Sequence, residues 1–210
     1  MQDYLVFDLE TQRSAADVGG WDKTEEMKMS VGVLWDSKAN RFFTYYEDQV
    51  ADLIKHLKSG PTVIGYNHIS FDYKVLLGYY PVEAREGALK EFHDLKNLDL
   101  LNVIKDTIGK RIRLEDAARP TLKVGKSADG LLALQWYKEF LAGDQEKLGA
   151  IADYCRQDVA VTRDLFIYGQ EHKHIYYLDK GAGITKVDIQ WETEKDTTSP
   201  GDDAEQLSLF

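Results

Sequence analysis

Hydrophobic positions along the chain fall into two periods, and their order predicts the architecture. Tyr4-Leu5-Val6-Phe7-Asp8-Leu9-Glu10-Thr11 is an apolar run of strand length carrying two carboxylates. Gln12 to Met27 is polar, contains Gly19-Gly20-Trp21 and predicts a long loop. Met29 to Trp35 and Phe42 to Tyr46, separated by Asp36-Ser37-Lys38-Ala39-Asn40, predict a hairpin. Val50, Leu53, Ile54 and Leu57 recur at helical spacing, and Gly60-Pro61 ends that helix before a strand at Thr62 to Tyr66. Ser70 is placed to cap a helix with Phe71, Val75 and Leu76 on one face. Helical patterns resume over Leu98 to Ile108, Leu114 to Ala118 and Ala128 to Leu141. A long helix follows, starting near Asp144 and keeping its period through Leu165-Phe166. His174 to Leu178 and Ile184 to Ile189 flank Lys180-Gly181-Ala182-Gly183 and predict a second hairpin. Strand, hairpin, helix, strand is the order of an α/β domain with a partly antiparallel sheet.

Composition narrows this picture. A chain of 210 residues supports one main core with appendages. No apolar run approaches the roughly 18 residues of a membrane span, so no membrane partner is expected, and a single-chain monomer is the simplest arrangement. Without a basic, then apolar, then small-residue start, a cytoplasmic location is expected. Cys155 is the single cysteine and falls among apolar helix neighbours, which predicts packing. The net charge of −10 is unevenly spread. Half of it lies in Glu192, Glu194, Asp196, Asp202, Asp203 and Glu205 against Lys195. Lys105, Lys110, Arg111, Arg113, Arg119, Lys123 and Lys126 outnumber the acids of their own segment, giving either a solvated face or a basic surface for a polyanion.

The candidate chemistry begins at Asp8 and Glu10. Two apart on a strand, they share a face and each raises the cost of ionising the other. Two readings fit: an edge strand turned to water, or a site for a divalent cation. Asp72 lies in the first turn after Ser70, where a carboxylate suits a helix N-terminus or a metal. Tyr154 and Asp158 are four apart and share a face of the long helix. Trp21 in the first loop is suited either to stack on a base or to cover the sheet edge.

Asp8-Leu9-Glu10, Asn67-x-x-x-Phe71-Asp72 and Tyr154-x-x-x-Asp158 together resemble the DEDD superfamily of 3′→5′ exonucleases over about Tyr4 to Phe166. Tyr154 four before Asp158 matches the tyrosine (DEDDy) branch, and Asp153 stands where the histidine branch has its histidine. The resemblance implies a ribonuclease H-like α/β fold, a mixed sheet flanked by helices. With the strand pattern and acidic composition that follow it, the expected division is an exonuclease domain at 1–170, an appended hairpin at 171–191 and a disordered acidic linker at 192–210 that ends in a motif at 206–210. The resemblance also implies two divalent ions, Mg2+ or Mn2+, held by Asp8, Glu10, Asp72 and Asp158. Hard cations take oxygen ligands, and paired ions about 3.5–4 Å apart serve the attacking water, the phosphate and the leaving oxygen. By the family pattern Tyr154 positions the attacking water, Asn67 fixes the loop presenting Asp72, and Thr11 contacts the terminal nucleotide. Leu9 and Phe71 either touch the last base or pack the core. Lys110, Arg111, Arg113, Lys123 and Lys126 are candidates for the strand backbone.

Gln206-Leu207-Ser208-Leu209-Phe210, after the acidic stretch, resembles the pentapeptide by which bacterial polymerases and repair proteins bind the β sliding clamp. A short extended peptide with apolar anchors is a common recognition mode. The combined expectation is a 3′→5′ exonuclease on DNA 3′ ends, recruited to the clamp for repair or end trimming in a bacterial cytoplasm. An exoribonuclease and a non-catalytic clamp adaptor are the alternatives.

Overall fold

The computed structural model describes residues 2–124 and 130–191. The chain runs β1 (Tyr4–Thr11), α1 (Ala15–Val18), β2 (Met29–Asp36), β3 (Arg41–Tyr46), α2 (Val50–Leu57), β4 (Thr62–Gly65), α3 (Asp72–Leu77), α4 (Arg85–His93) and β5 (Asn97–Asp99). It continues with α5 (Leu100–Ile108), α6 (Leu114–Leu122), α7 (Gly130–Leu141), α8 (Glu146–His172), β6 (His174–Asp179) and β7 (Gly183–Asp188). No helix among the described residues is long and apolar enough to cross a membrane.

Five strands form one mixed sheet in the order β3-β2-β1-β4-β5. β1 is antiparallel to β2 and parallel to β4, and β4 is parallel to β5. Alternation along β1 divides its side chains between two cores. Leu5, Phe7 and Leu9 pack with Leu53, Leu57, Val75, Leu76 and Phe92, whereas Val6 packs with Val33, Ile64, Ile104, Ile151, Cys155 and Val159. Helices therefore cover both faces in a ribonuclease H-like, three-layer α/β arrangement. Asp8 and Glu10 share the face of Val6, the one that α8 covers.

β4 pairs with β1 only from Tyr4↔Thr62 to Val6↔Ile64, while β2 accompanies β1 to Thr11. The carboxylates of β1 thus lie beyond the end of β4, at the carboxyl edge of the parallel strands where ligand crevices form. Gly65 ends β4 under the ring of His68, where an added Cβ would stand 2.7 Å from the imidazole. That close approach starts the loop leading to α3.

Several boundaries differ from the sequence expectations. The stretch from Gln12 contains α1, capped reciprocally by Ser14 and Asp17, and a 3-10 turn at Trp21–Glu26. Ser70 makes no cap. Phe71 holds the N-cap position without a side-chain bond, and the preceding turn closes by Tyr73 N donating to His68 O at 3.0 Å. The helical pattern read from Leu98 divides into β5 and α5, with Asp99 as the cap between them. α6 continues through Pro120 to Leu122, and α8 continues to His172. The β6-β7 hairpin is a separate sheet whose Ile175, with Ile189 and Trp191 beyond β7, joins the core beneath α8. Thr121 of α6 closes its inner edge, donating from Oγ1 to Tyr176 O at 2.7 Å and accepting from Tyr176 N at 2.8 Å.

Candidate active site

β1 and α8 bring three carboxylates together: ligand oxygens of Asp8, Glu10 and Asp158 all lie within 4.8 Å of one another. Asp72 enters from the other side of β1. Where β4 has stopped pairing, the N–H of Leu9 donates to Asp72 Oδ1 at 3.1 Å, which ties the start of α3 between Asp8 and Glu10. Tyr154, one turn before Asp158 on α8, is buried and donates a hydrogen bond to Asp158. The ring of Trp136 on α7 packs edge-on against Tyr154, centroids 6.5 Å apart.

Electrostatics set this cluster apart. Burial, followed by repulsion from Asp72, Glu10 and Asp158, pushes Asp8 well above the ordinary carboxylate range. Burial and the charges of Asp158 and Asp72 do the same to Glu10. Asp72 is raised to about 7 and Asp158 to about 6, each chiefly by burial and each partly restrained, by the Leu9 N–H and the Tyr154 hydroxyl respectively. Tyr154 is raised, first by burial and then by Asp158, Glu10 and Asp8, so it remains a phenol and a donor at neutral pH. The thiol of Cys155 lies 3.4 Å from Asp8 O and 3.7 Å from Asp8 Oδ2, fully buried beneath the cluster.

These residues suit hard dications. The donors are all oxygens, they converge at bridging distance, and the charges acting on Asp8 are all carboxylates. Asp8, Glu10 and Asp158 would hold the cation, with Asp72 beside them.

A second buried carboxylate, Asp99, positions the loop that presents Asp72. Its Oδ1 accepts from Asn67 N at 2.8 Å and Leu101 N at 3.1 Å, and its Oδ2 accepts from Ile69 N at 3.2 Å. Beside it Asn97 donates to Phe92 O and Leu95 O, which turns its Oδ1 toward Tyr73 OH at 2.7 Å and His68 Nε2 at 3.3 Å. Neither Asp99 nor Asn97 was identified from sequence. The available signal was an aspartate just before the apolar helical run at Leu100, a helix-start pattern.

The other candidates separate. Leu9 is a core side chain, 4% exposed, on the opposite face from the carboxylates. Thr11 donates from Oγ1 to Arg13 O at 3.0 Å. Asn67 takes a left-handed conformation, φ 72°, and its Oδ1 accepts from Arg111 Nη2 at 2.7 Å. Phe71 is half-buried against Trp21. Lys110 pairs with Asp179 of the hairpin, and Arg113 pairs with Asp116 through two contacts of 3.0 Å. Lys110, Arg111 and Arg113 line a groove of about 1180 Å³ between the α5–α6 connection and the hairpin tip, with Asn67 on its wall. Lys123 lies apart from this groove, at the C-terminus of α6. Lys126, the acidic stretch from Glu192 and Gln206, Leu207, Ser208, Leu209 and Phe210 lie outside the described residues.

A sequence model of the RNase_H superfamily matches residues 5–169, and the chain belongs to that superfamily. None of the curated proteins matches it. Similar solved structures include the zinc-bound form of the E. coli ExoI–ssDNA complex, at 16% identity and a TM-score of 0.39 over 82% of this chain and 43% of that one. They also include E. coli exonuclease I in complex with a dA16 oligonucleotide, at 16% identity and a TM-score of 0.36 over 82% and 44%. A third is the ExoI/SSB-Ct complex, at 15% identity and a TM-score of 0.36 over 82% and 44%. The chain spans less than half the length of each.

Proposed function

We propose that this chain is a metal-dependent 3′→5′ exonuclease of the DEDD type, tyrosine branch, acting on DNA 3′ ends. The observation that carries the reading is the convergence of Asp8, Glu10 and Asp158 within 4.8 Å, with Asp72 tied to the Leu9 N–H and Tyr154 bonded to Asp158. Asp8, Glu10 and Asp158, with Asp72 beside them, would hold two divalent ions, Mg2+ or Mn2+. When bound, these supply an activated water and offset the charge that builds on the phosphate. The rest is the work of the chain. Tyr154, kept protonated by burial and then by its acidic neighbours, orients the attacking water by hydrogen bond rather than removing its proton. The Asn67-to-Phe71 loop, anchored by Asp99, fixes Asp72 against β1. Arg111 and Arg113, with Lys110, offer the groove beside Asn67 to the strand's phosphates.

Gln206 to Phe210 recruits the enzyme to the bacterial β sliding clamp, for repair or end trimming. Recruitment of this kind raises the local enzyme concentration at primer ends.

One assay tests the reading. End-labelled single-stranded, duplex and mismatched DNA, and matched RNA, are incubated with Mg2+ or Mn2+, with and without clamp. Stepwise loss of nucleotides from the 3′ end of DNA supports it. Faster loss from RNA favours the exoribonuclease, and no release with either metal favours the adaptor. Deleting Gln206 to Phe210 is expected to abolish clamp binding in a pull-down; unchanged binding removes that partner.

A further inference from the structure

His68 is a buried titratable side chain that the proposed chemistry leaves unused. Its ring is fully buried and stands edge-on to Tyr73, centroids 5.1 Å apart. Its two nitrogens face two residues of β5, Nε2 toward Asn97 and Nδ1 toward Asp99.

Those partners fix where the ring's hydrogens lie. Asn97 Nδ2 donates to two carbonyls, Phe92 O at 2.9 Å and Leu95 O at 3.2 Å, which sets the orientation of the amide. Asn97 Oδ1 therefore faces His68 Nε2 at 3.3 Å, and an amide oxygen only accepts. Nε2 must carry a hydrogen. In a neutral imidazole that choice leaves Nδ1 bare. Nδ1, however, lies 3.6 Å from Asp99 Oδ2, so a neutral ring would set a lone pair against a carboxylate. A proton shared by these two groups belongs on the ring, because the N–H groups of Asn67, Ile69 and Leu101 already donate to Asp99 and favour its ionised form.

The other titratable groups beside the ring come from α3. Tyr73 donates to Asn97 Oδ1 at 2.7 Å and is held as a phenol, first by burial and then by the charges of Asp72 and Asp99. Asp72 precedes it and feels the charge of Asp99, which opposes its ionisation. A cation on His68 offsets that charge.

We infer that His68 is an imidazolium at neutral pH, the counter-charge of Asp99, and that it is a positioning residue for the loop presenting Asp72. A buried carboxylate needs a charge partner as well as hydrogen bonds. His68 supplies it from within the loop, since it lies between Asn67 and Ile69, whose N–H groups donate to the same carboxylate. One ring and its two flanking amides thus grip Asp99. The turn they form runs directly into α3, where Tyr73 N donates to His68 O at 3.0 Å. The charge state stands independently of the nuclease reading; its bearing on turnover rests on that reading.

The ring nitrogens of the isotope-labelled full chain are observed by NMR at pH 7, with His68 assigned by its loss in His68→Gln or by its contact with Tyr73. Both nitrogens are expected in the protonated range, and a bare nitrogen overturns the imidazolium. Hydrogen exchange tests the positioning role. A hydrogen bond to a charged group corresponds to about 10- to 100-fold in an opening equilibrium. In His68→Gln the amides of Asn67 and Ile69 are expected to exchange faster by that factor, beyond any change at the β1–β2 amides that report overall stability. Protection lost equally throughout, or unchanged at the loop, overturns the role. If His68→Gln does not fold, the same comparison is made in His68→Asn, which also removes the charge and keeps a donor. With Mn2+ and end-labelled single-stranded DNA, the variant is expected to lower kcat by about 10- to 100-fold and to change KM less; a kcat equal to wild type overturns the link to Asp72. No release by wild type counts against the nuclease reading alone, and the spectrum and exchange then decide the assignment of His68.

Discussion

Two buried carboxylate settings lie on either side of the loop from Asn67 to Asp72, and they are opposites. Asp99 is saturated with donors: three backbone N–H groups reach it, and His68 Nδ1 lies 3.6 Å away. Asp8 instead faces three other carboxylates and the weak thiol donor of Cys155. Burial of charge is costly unless it is paired or hydrogen-bonded. Asp99 meets that condition within the protein and stabilises the loop. The cluster of Asp8, Glu10 and Asp158 meets it only in part, through the Tyr154 hydroxyl on Asp158 and the weak Cys155 thiol on Asp8, and its convergent oxygens could hold a metal ion. The difference separates an acid that braces the fold from acids whose placement suits a metal.

Replacing one of the converging acids is the largest expected break in the contrast. If the proposed metal site is correct, Asp8→Asn or Asp158→Asn is expected to reduce nucleotide release on the order of 10³-fold, because a metal ligand would be lost. The same change removes repulsion, so the metal-free melting temperature is expected to hold or rise. Retained turnover in a single-turnover assay with Mn2+ would sink the assignment.

Asp99→Ala is expected to do the reverse. Three backbone N–H groups lose their acceptor, at a cost of about 3–5 kcal/mol for breaking a buried charged network. For a chain of this size that lowers Tm by roughly 10 °C. Differential scanning calorimetry of Asp99→Ala beside Asp8→Asn is the direct comparison. If both move the same way, the distinction between the two settings fails.

The contrast also has a pH signature. Raised values in the cluster mean that the metal-free folded protein holds protons that the unfolded chain, titrating near pH 4, has released. Stability from these groups is full below about pH 4 and is lost as pH rises through about 6 and about 7, the values of Asp158 and Asp72. In EDTA, Tm is expected to fall by several degrees from pH 5 to pH 8. Mg2+ or Mn2+ is expected to restore it most at pH 8, where the ligands are ionised. A flat metal-free profile would show that burial does not raise these carboxylates as placed.

The acids that converge were legible in the sequence and Asp99 was not, for a physical reason. Asp8 and Glu10 interrupt an apolar strand, and Tyr154 and Asp158 share a helix face, so each pair violates or exploits a period that can be counted. Asp99 violates nothing: it ends a three-residue strand that merges, in sequence, with the helix it caps. α4 escaped notice because it buries only Ala88 and Phe92, too few positions to impose a helical period. The turn at Phe71 closes through backbone donors, so Ser70 offered a plausible cap that the fold does not use. Long elements with one buried face announce themselves; short ones set by backbone bonding do not.

The smallest expected effect tests how far the contrast extends outward. Asn67 joins the two halves, because its N–H is held by Asp99 and its Oδ1 accepts from Arg111 at 2.7 Å. Arg111 is exposed and spends one donor on Asn67, and among the described residues its other N–H groups make no further hydrogen bond and line the groove. If a phosphate of the strand lies there, Arg111→Ala is expected to raise KM by about 3- to 10-fold and to reduce the slope of log K against log salt by about 0.7, one contact on a single strand. Because the Asp99 bonds to the loop remain, kcat should change less than KM. A salt slope identical to wild type would mean that Arg111 only braces Asn67. The groove would then belong with Asp99 among the parts that brace the fold, and the strand would have to leave the carboxylates by another path.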